Sequence, residues 1–356
     1  MPEVIASGLG RAIRNGCCNE VFRKSARAAI FICCAIAAMI SFPAPASAWG
    51  CKGHQIITLL AEKHLTPQTL AAVNKILSDG PIDPNLSRYC KDHGTDAMTD
   101  ASTWPDDYRP GHPETGPWHY IDVPRGTLLR GNKKVIANEI EKFCDPKEGC
   151  ATRAIAEELA NLRSPASNPQ KKADALRFLI HFVGDLHQPL HGITNNDQGG
   201  NCVPVAFFDT HPELRNPQSE SYAPNLHGVW DTNILEKATT GKTVAEVAAN
   251  LDQTYGKQIA RWQKGPANLD AWVAESYELG AKKVYGKLPV PIPVETPQTI
   301  KSCADDNHIS ARMLKLGERL EESYQSMGAP IVMQRLARAG ARLAMLLNQL
   351  WPSATE

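Results

Sequence analysis

The feature that most constrains this chain is a histidine followed four residues later by an aspartate, occurring twice in sequence that otherwise asks to be buried. Residues 173–191 read Ala-Asp-Ala-Leu-Arg-Phe-Leu-Ile-His-Phe-Val-Gly-Asp-Leu-His-Gln-Pro-Leu-His. This is an apolar helical stretch with His181 and Asp185 one turn apart on one face. Pro189 ends or kinks the helix, so His191 comes from the turn beyond it and can point at a neighbouring position. Asn225-Leu226-His227-Gly228-Val229-Trp230-Asp231 repeats the spacing, with His227 and Asp231. One such pair reads equally well as core histidines with ordinary hydrogen bonds, but ionisable groups gathered on apolar helices mark sites.

Around these segments apolar residues recur at helical spacing. Ile56, Ile57, Leu60 and Ala61 mark a first helix; Thr66 caps a second, with Pro67 at its first position and Leu70, Val73 and Leu77 on its buried face. Thr243 and Glu246 form a capping box ahead of Val247, Leu251, Tyr255, Ile259 and Trp262. Residues 271–285 and 333–350 repeat the pattern. Strand-like alternation is confined to short pieces such as residues 203–208. The expected class is mostly α, with no internal repeat.

Residues 1–48 read as a secretory signal peptide: a basic lead (Arg11, Arg14, Arg23, Lys24, Arg27), an apolar stretch over residues 28–42 and the small-residue cleavage site Ala46-Ser47-Ala48. Cleavage after Ala48 leaves 308 of the 356 residues, 49–356, as one compact domain without a linker, exported to a periplasm or secreted. No later segment reads as a membrane span. No stable membrane association and no obligate protein partner are expected. Five of the 38 basic and two of the 38 acidic residues lie in the leader, so 33 and 36 remain. That balance excludes a generic polyanion-binding surface, and any nucleic-acid contact must come from a local site. Six cysteines remain, Cys51, Cys90, Cys144, Cys150, Cys202 and Cys303. Their even number in an exported chain points to disulfides, with 15 pairings possible and Cys144 with Cys150 the easiest local loop.

Cleavage after Ala48 has a chemical consequence. Trp49 becomes the N-terminus, and its free α-amine and carbonyl oxygen, near His54, can chelate a metal. Asp106 and His119 lie in segments rich in Trp and Pro and add two more candidates. Histidine and carboxylate without thiolate suit Zn²⁺ in a hydrolytic site. His54, His119, His181, His191 and His227, with Asp106, Asp185, Asp231 and one amine, exceed what one tetrahedral ion can use. A cluster of two or three metals follows.

These motifs, in this order, resemble the zinc-dependent S1/P1 nuclease family over essentially all of residues 49–356. They are Trp-Gly-x-x-Gly-His (49–54), Trp-x-Asp-x-x-Arg (104–109), His-aromatic-Ile-Asp (119–122), His-Phe-x-Gly-Asp-x-x-Gln-Pro-Leu-His (181–191) and Asn-Leu-His-x-x-Trp-Asp (225–231). The resemblance implies a single multi-helix domain of the phospholipase C/P1 nuclease type around three zinc ions. One is held by Asp106, His119, His181 and Asp185; a close neighbour by the Trp49 amine and carbonyl with His54, sharing Asp185; and the third by His191, His227 and Asp231. It implies a phosphodiesterase that cuts single-stranded DNA and RNA to 5′-phosphates by in-line attack of zinc-activated hydroxide, and acts on 3′-nucleotides. Arg109 grips the phosphate, its alternative being a salt bridge to Asp106 or Asp107. Tyr120 stacks a base and Asp122 accepts a hydrogen bond from a base edge, with Asn201 a further contact or merely part of a turn.

The segment between His191 and His227 is longer than in the familiar fungal members, over residues 194–198 and 209–223. His64, His93, His112, His187, His211 and His308 fall outside the motifs and read as surface or capping residues. Two other readings stand beside the nuclease. A zinc phospholipase C has a similar helical fold and N-terminal tryptophan, but its last motif ends in Glu where this chain has Asp231. A non-catalytic exported zinc protein would have no use for Arg109, Tyr120 and Asp122 beside closed metal shells.

Overall fold

The computed structural model describes residues 49–91, 96–306 and 308–352; the leader over residues 1–48 and His93 lie outside the described residues. Helix α1 (Cys51–Glu62) leads to α2 (Pro67–Asp79), where the Thr66 side chain accepts from the Thr69 N–H and Pro67 opens the helix. Two short helices follow, α3 (Ala97–Ala101) and α4 (Trp104–Tyr108), then α5 (Lys133–Glu141), α6 (Ala151–Arg163) and α7 (Pro169–Asp185). Helix α8 (Leu226–Gly228) runs through a π-helical turn at Val229–Asn233 into α9 (Ile234–Ala238). The Thr243–Glu246 capping box opens α10 (Val244–Trp262), followed by α11 (Leu269–Leu279), α12 (Ile309–Leu316) and α13 (Glu322–Leu350).

Strand is scarce, as the sequence suggests. Only Ala206–Phe207 (β1) of the expected 203–208 piece forms a strand, parallel to Arg319–Leu320 (β4). An antiparallel hairpin of β2 (Glu213–Asn216) and β3 (Ser221–Ala223) occupies part of the long segment ahead of His227.

Three boundaries differ from the sequence reading. Helix α7 starts at Pro169, capped by Asn168, and stops at Asp185, four residues before Pro189. Gln188, which precedes that proline, takes an extended backbone, as its steric clash with the ring requires. The long C-terminal helix starts at Glu322 rather than near Met333 and carries Pro330 within it. Residues 280–284, expected to continue α11, form a π-helical turn.

The core gathers around α7, which is buried on every side from Ala175 to Asp185 and packs against α2, α6 and α13. Its only other charged group in that run, Arg177, is matched by the carboxylate of Asp174 at 2.7 Å and the carbonyl of Gly80. α13 crosses α1 at Gly340, where a Cβ would come within 2.8 Å of the Ile57 carbonyl oxygen, so the two backbones meet only because residue 340 has no side chain. Disulfides join Cys51 to Cys90, Cys144 to Cys150 and Cys202 to Cys303. Among the described residues no helix is long and apolar enough to cross a membrane.

A second polar knot fastens α11 to α13. Glu275 receives Arg335 at 3.0 Å, Arg338 at 3.0 Å and Arg342 at 2.7 Å. His187 lies inside this knot rather than at the surface: its Nδ1 donates to the Val183 carbonyl and its Nε2 accepts from Arg342 at 2.9 Å. Burial first, then Arg335 and Arg342, hold His187 well below the ordinary imidazole range, which fits a neutral ring. Burial raises the Glu275 carboxyl, but the three guanidinium groups outweigh it and bring it from 4.5 to about 2. A folded-state value below the unfolded one stabilises the protein above pH 4.5, and the contribution is lost as pH falls from there toward 2. Glu275→Gln should destabilise by roughly 1–3 kcal/mol at neutral pH, and by progressively less in acid, in urea titrations across that range. A penalty independent of pH would refute the assignment.

Candidate metal centre and active site

Five side chains from four elements converge at the last turn of α7. Asp185 Oδ2 lies 3.0 Å from His119 Nδ1 and 3.3 Å from His181 Nε2, and its Oδ1 lies 3.3 Å from His54 Nε2. Asp106, in the first turn of α4, brings Oδ1 to 3.8 Å from His181 Nε2 and 3.9 Å from His119 Nδ1. His54 comes from α1, and His119 ends the 3-10 turn Pro113–His119. All five are buried. A second group lies beyond the helix end. His191 from the 3-10 turn Pro189–Gly192 brings Nε2 to 3.1 Å from His227 Nε2, and His227 Nε2 is 3.2 Å from Asp231 Oδ2. Asp231 sits in the π-helical turn rather than a regular helix, a distortion frequent at functional sites.

Backbone carbonyls set the imidazole tautomers. His181 Nδ1 faces the Ser102 carbonyl at 2.7 Å, His191 Nδ1 that of His119 at 2.8 Å and His227 Nδ1 that of Gly199 at 2.7 Å. A carbonyl only accepts, so each Nδ1 carries a proton and each Nε2 is turned inward, with a free lone pair on the neutral rings of His191 and His227. Two lone pairs 3.1 Å apart, on His191 and His227, repel unless a cation lies between them.

Trp49 is fully buried. Its indole N–H donates to the Gly184 carbonyl at 2.9 Å, and the Gly50 N–H donates to the Asp231 carbonyl at 3.0 Å. Residues 49 and 50 therefore run from the end of α7 to the Asp231 turn, between the two side-chain groups.

Burial lowers His119 to about 4 against the opposing pull of Asp185; burial and the neighbouring His191 lower His227 to about 3. Burial also depresses His191 and His54. His181 is the exception: burial opposes its charge, but Asp185 and Asp106 raise it to about 9. Burial holds Asp231 well above the carboxylate range despite the hydrogen bond from Gln188.

These residues fit metal ions. His54 Nε2, Asp106 Oδ1, His119 Nε2 and Asp185 Oδ1 are buried without hydrogen-bond partners, the condition a cation relieves. Ligand atoms cluster into three groups: His54, Asp106 and His181; His119, His181 and Asp185; and His191, His227 and Asp231. The third coincides with a ligand set that the sequence resemblance implies. In the first two, His54 also stands close to Asp106 and His181, so the ligands of the two neighbouring sites interleave. Nitrogen and oxygen donors without thiolate suit zinc.

A cavity of about 180 Å³ opens onto His191 and His227 and is lined by Arg109, Tyr120, Asp122 and Asn201, all singled out in the sequence. Gln198, Gly199, Leu190 and Ile300 complete it. A larger groove of about 600 Å³, beside Lys133 and Asp270, contains no histidine. Burial and the nearby Asp197 raise Asp122 to about 7. Asp107 is paired with Arg88 at 2.5 Å. Asn201 donates to the Gln198 carbonyl at 2.9 Å, so it does shape a turn while lining the cavity. Of the remaining histidines, His64 pairs with Asp252, His112 with Glu114, His211 is exposed and His308 precedes α12 at its cap position.

Gln188 had no role in the sequence reading although the 181–191 motif spells it out. Its amide N–H binds Asp231 Oδ1 at 2.5 Å and its carbonyl oxygen accepts from the Leu190 N–H. It thus links the turn carrying His191 to the aspartate that His191 faces. Nothing in the sequence signals Ile300.

A helical scaffold that buries histidine–aspartate groups beside a polar cavity defines a metallohydrolase class. Residues 49–352 match the S1/P1 nuclease family. The chain is 28% identical to Endonuclease 4 of Arabidopsis thaliana, over 86% of this chain and 90% of that protein. It is 24% identical to Nuclease S1 of Aspergillus oryzae, over 84% and 91%, and 24% identical to Nuclease P1 of Penicillium citrinum, over 85% and 97%. The chain belongs to the S1/P1 nuclease family, and is an enzyme of the phosphodiester-hydrolysing type.

Gln188→Ala leaves Asp231 without its side-chain donor. Loss of such an outer contact should weaken zinc at the His191, His227 and Asp231 group about 10–100-fold in competition with a chromophoric chelator. An unchanged zinc isotherm would mean that Gln188 only braces the turn.

Proposed function

We propose that residues 49–356 form an exported zinc-dependent nuclease that hydrolyses single-stranded DNA and RNA to 5′-phosphate products and also acts on 3′-nucleotides. The observation that carries this reading is the conjunction of two features: histidine–aspartate groups suited to three metal ions, and a cavity that places Tyr120, Asp122 and Arg109 beside His191 and His227. When bound, zinc supplies Lewis-acid charge at the phosphoryl group and lowers the pKa of water. His54 and Asp185 with the Trp49 amine and carbonyl hold one ion, Asp106, His119, His181 and Asp185 its neighbour, and His191, His227 and Asp231 the third.

The chain's own groups do the recognition. Arg109 is permanently charged and meets the phosphate oxygens. Tyr120 is 38% exposed as a residue and lines the cavity, where its ring can offer a π-face to a base of any kind. Asp122 meets the base edge, accepting a hydrogen bond when ionised and donating one when neutral. The cavity is smaller than the ~300–1,000 Å³ of drug-sized sites, so it suits one ring system, and a base must leave its stack to enter. Preference for unpaired strands follows. Export through a leader over residues 1–48 is supported by three disulfides and by a family match that starts at Trp49.

The decisive experiment measures zinc content and hydrolysis of single-stranded DNA, duplex DNA, a 3′-nucleotide and phosphatidylcholine on one sample before and after chelation. About three zincs with chelator-sensitive cleavage of single strands is the expected result; lipid cleavage alone would replace this reading by the phospholipase. Asp185→Asn should lower zinc content and hydrolysis together. One extra residue ahead of Trp49 removes its free amine and should cripple activity without altering the circular dichroism; full activity in that protein would sink the N-terminal ligand.

A further inference from the structure

One wall of the base cavity comes from a segment remote in sequence, and the structure explains how it is held there. Residues 288–298 read Leu-Pro-Val-Pro-Ile-Pro-Val-Glu-Thr-Pro-Gln, a proline-rich strap whose fixed φ angles leave little freedom to lose. Its start is anchored by the buried Ile292, whose carbonyl accepts from Arg125 at 2.8 Å. Two asparagines of the loop beside the cavity then bind it as a neighbouring strand would. Asn195 donates to the Pro293 carbonyl at 3.0 Å and accepts from the Glu295 N–H at 3.1 Å. Asn196 donates to the Thr296 carbonyl at 2.5 Å and accepts from the Gln298 N–H at 3.0 Å.

Each amide takes the carbonyl of residue i and the N–H of residue i+2 of the strap, the spacing at which one residue of a parallel strand bonds its neighbour. The N–H groups used belong to Glu295 and Gln298, and the prolines at 293 and 297 supply none, so sequence and pairing agree. Beyond the second amide the chain reaches Ile300 in the cavity, and three residues later Cys303 is bonded to Cys202. Ile300 is fixed from both sides.

We propose that Ile300 is a specificity-determining residue, the aliphatic wall that, with the Tyr120 ring, holds a base in the cavity. The proposal rests on the nuclease reading and deepens it. Ile300 and Leu190 are the aliphatic side chains in a lining otherwise made of polar groups, glycine and the Tyr120 ring. Phosphate contacts come from Arg109 and the metal groups, so Ile300 bears on the base and not on the phosphoester. A purine, with the larger apolar face, depends on it more than a pyrimidine.

The test compares two substrates on the zinc-loaded protein: a dinucleoside monophosphate with adenine on the side entering the cavity, and its abasic counterpart. Ile300→Ala should lower the ratio of their kcat/KM values about tenfold, the scale for apolar groups lost from a pocket, and Ile300→Val should restore most of it. Asn196→Ala, which frees the strap without altering the cavity lining, should lower the ratio in the same direction. Calorimetric binding of adenosine 5′-monophosphate relative to ribose 5-phosphate should fall in parallel, a readout independent of turnover. An unchanged ratio in Ile300→Ala, or equal losses on both substrates, overturns the proposal and leaves the nuclease reading standing. If the unsubstituted protein cleaves neither substrate, the nuclease reading fails first, and the proposal with it.

Discussion

Everything in this molecule is arranged around the cost of burying charge. Asp185 has no exposure at the end of a helix buried on every side from Ala175 onward, and three imidazoles crowd its two oxygens. An isolated carboxylate there would be expelled or neutralised. Among the imidazoles only His181 is raised, while burial keeps His119, His54, His191 and His227 low, so protons alone do not balance the site. Divalent cations do, and the carbonyls behind His181, His191 and His227 aim the lone pairs before any ion arrives. The scaffold pairs its own polar groups elsewhere: the terminal nitrogens of Arg177 donate to Asp174 and Gly80, and His187 bonds Val183 and Arg342.

The parts of the structure legible in the sequence are those governed by local rules. The Thr66 and Thr243 caps and the 3.6-residue periodicity of α1, α2 and α10 place helices where they form. The two histidine–aspartate spacings fall one in each of the two buried groups, and His54, Asp106, His119, His181, Asp185, His191, His227 and Asp231 gather in them. What was hidden depends on partners distant along the chain. His187 reads as a surface residue because nothing near it in sequence reveals that Arg335, Arg338 and Arg342 gather around Glu275. The pairing of Cys202 with Cys303 was one choice among many. The last helix begins at Glu322, ahead of the expected Met333, with Pro330 inside it: Tyr324, Gln325, Gly328 and Val332 are buried in that stretch, and this packing outweighs one missing hydrogen bond.

The histidine–aspartate groups and the cavity beside them draw on partly different stretches of chain. The ligands come from residues up to Asp231, on helices and turns fastened to α7. The cavity adds Gln198, Gly199 and Asn201 from a single loop and Ile300 from a strap nearly seventy residues beyond Asp231. Asp197, fully buried beneath that loop, accepts from the Asn195 and Gly200 N–H groups and from Tyr285, and so ties loop and strap to one foundation.

The β2–β3 hairpin shows what this division permits. Its feet are fastened together: Val205 donates to the Pro224 carbonyl, Pro204 bridges to Asn225, and Leu226 donates to the Val203 carbonyl. Asn225 in turn caps the helix that carries His227. Beyond β1, the hairpin between those feet is an excursion whose two ends coincide, so residues can be added or removed within it while His227 beyond stays still. Loop-closure entropy grows slowly with length, and lengthening such an excursion carries little thermodynamic penalty. For a lineage of enzymes sharing one metal cluster, this is the place where the outline of the molecule is free to diverge while its reaction is inherited intact.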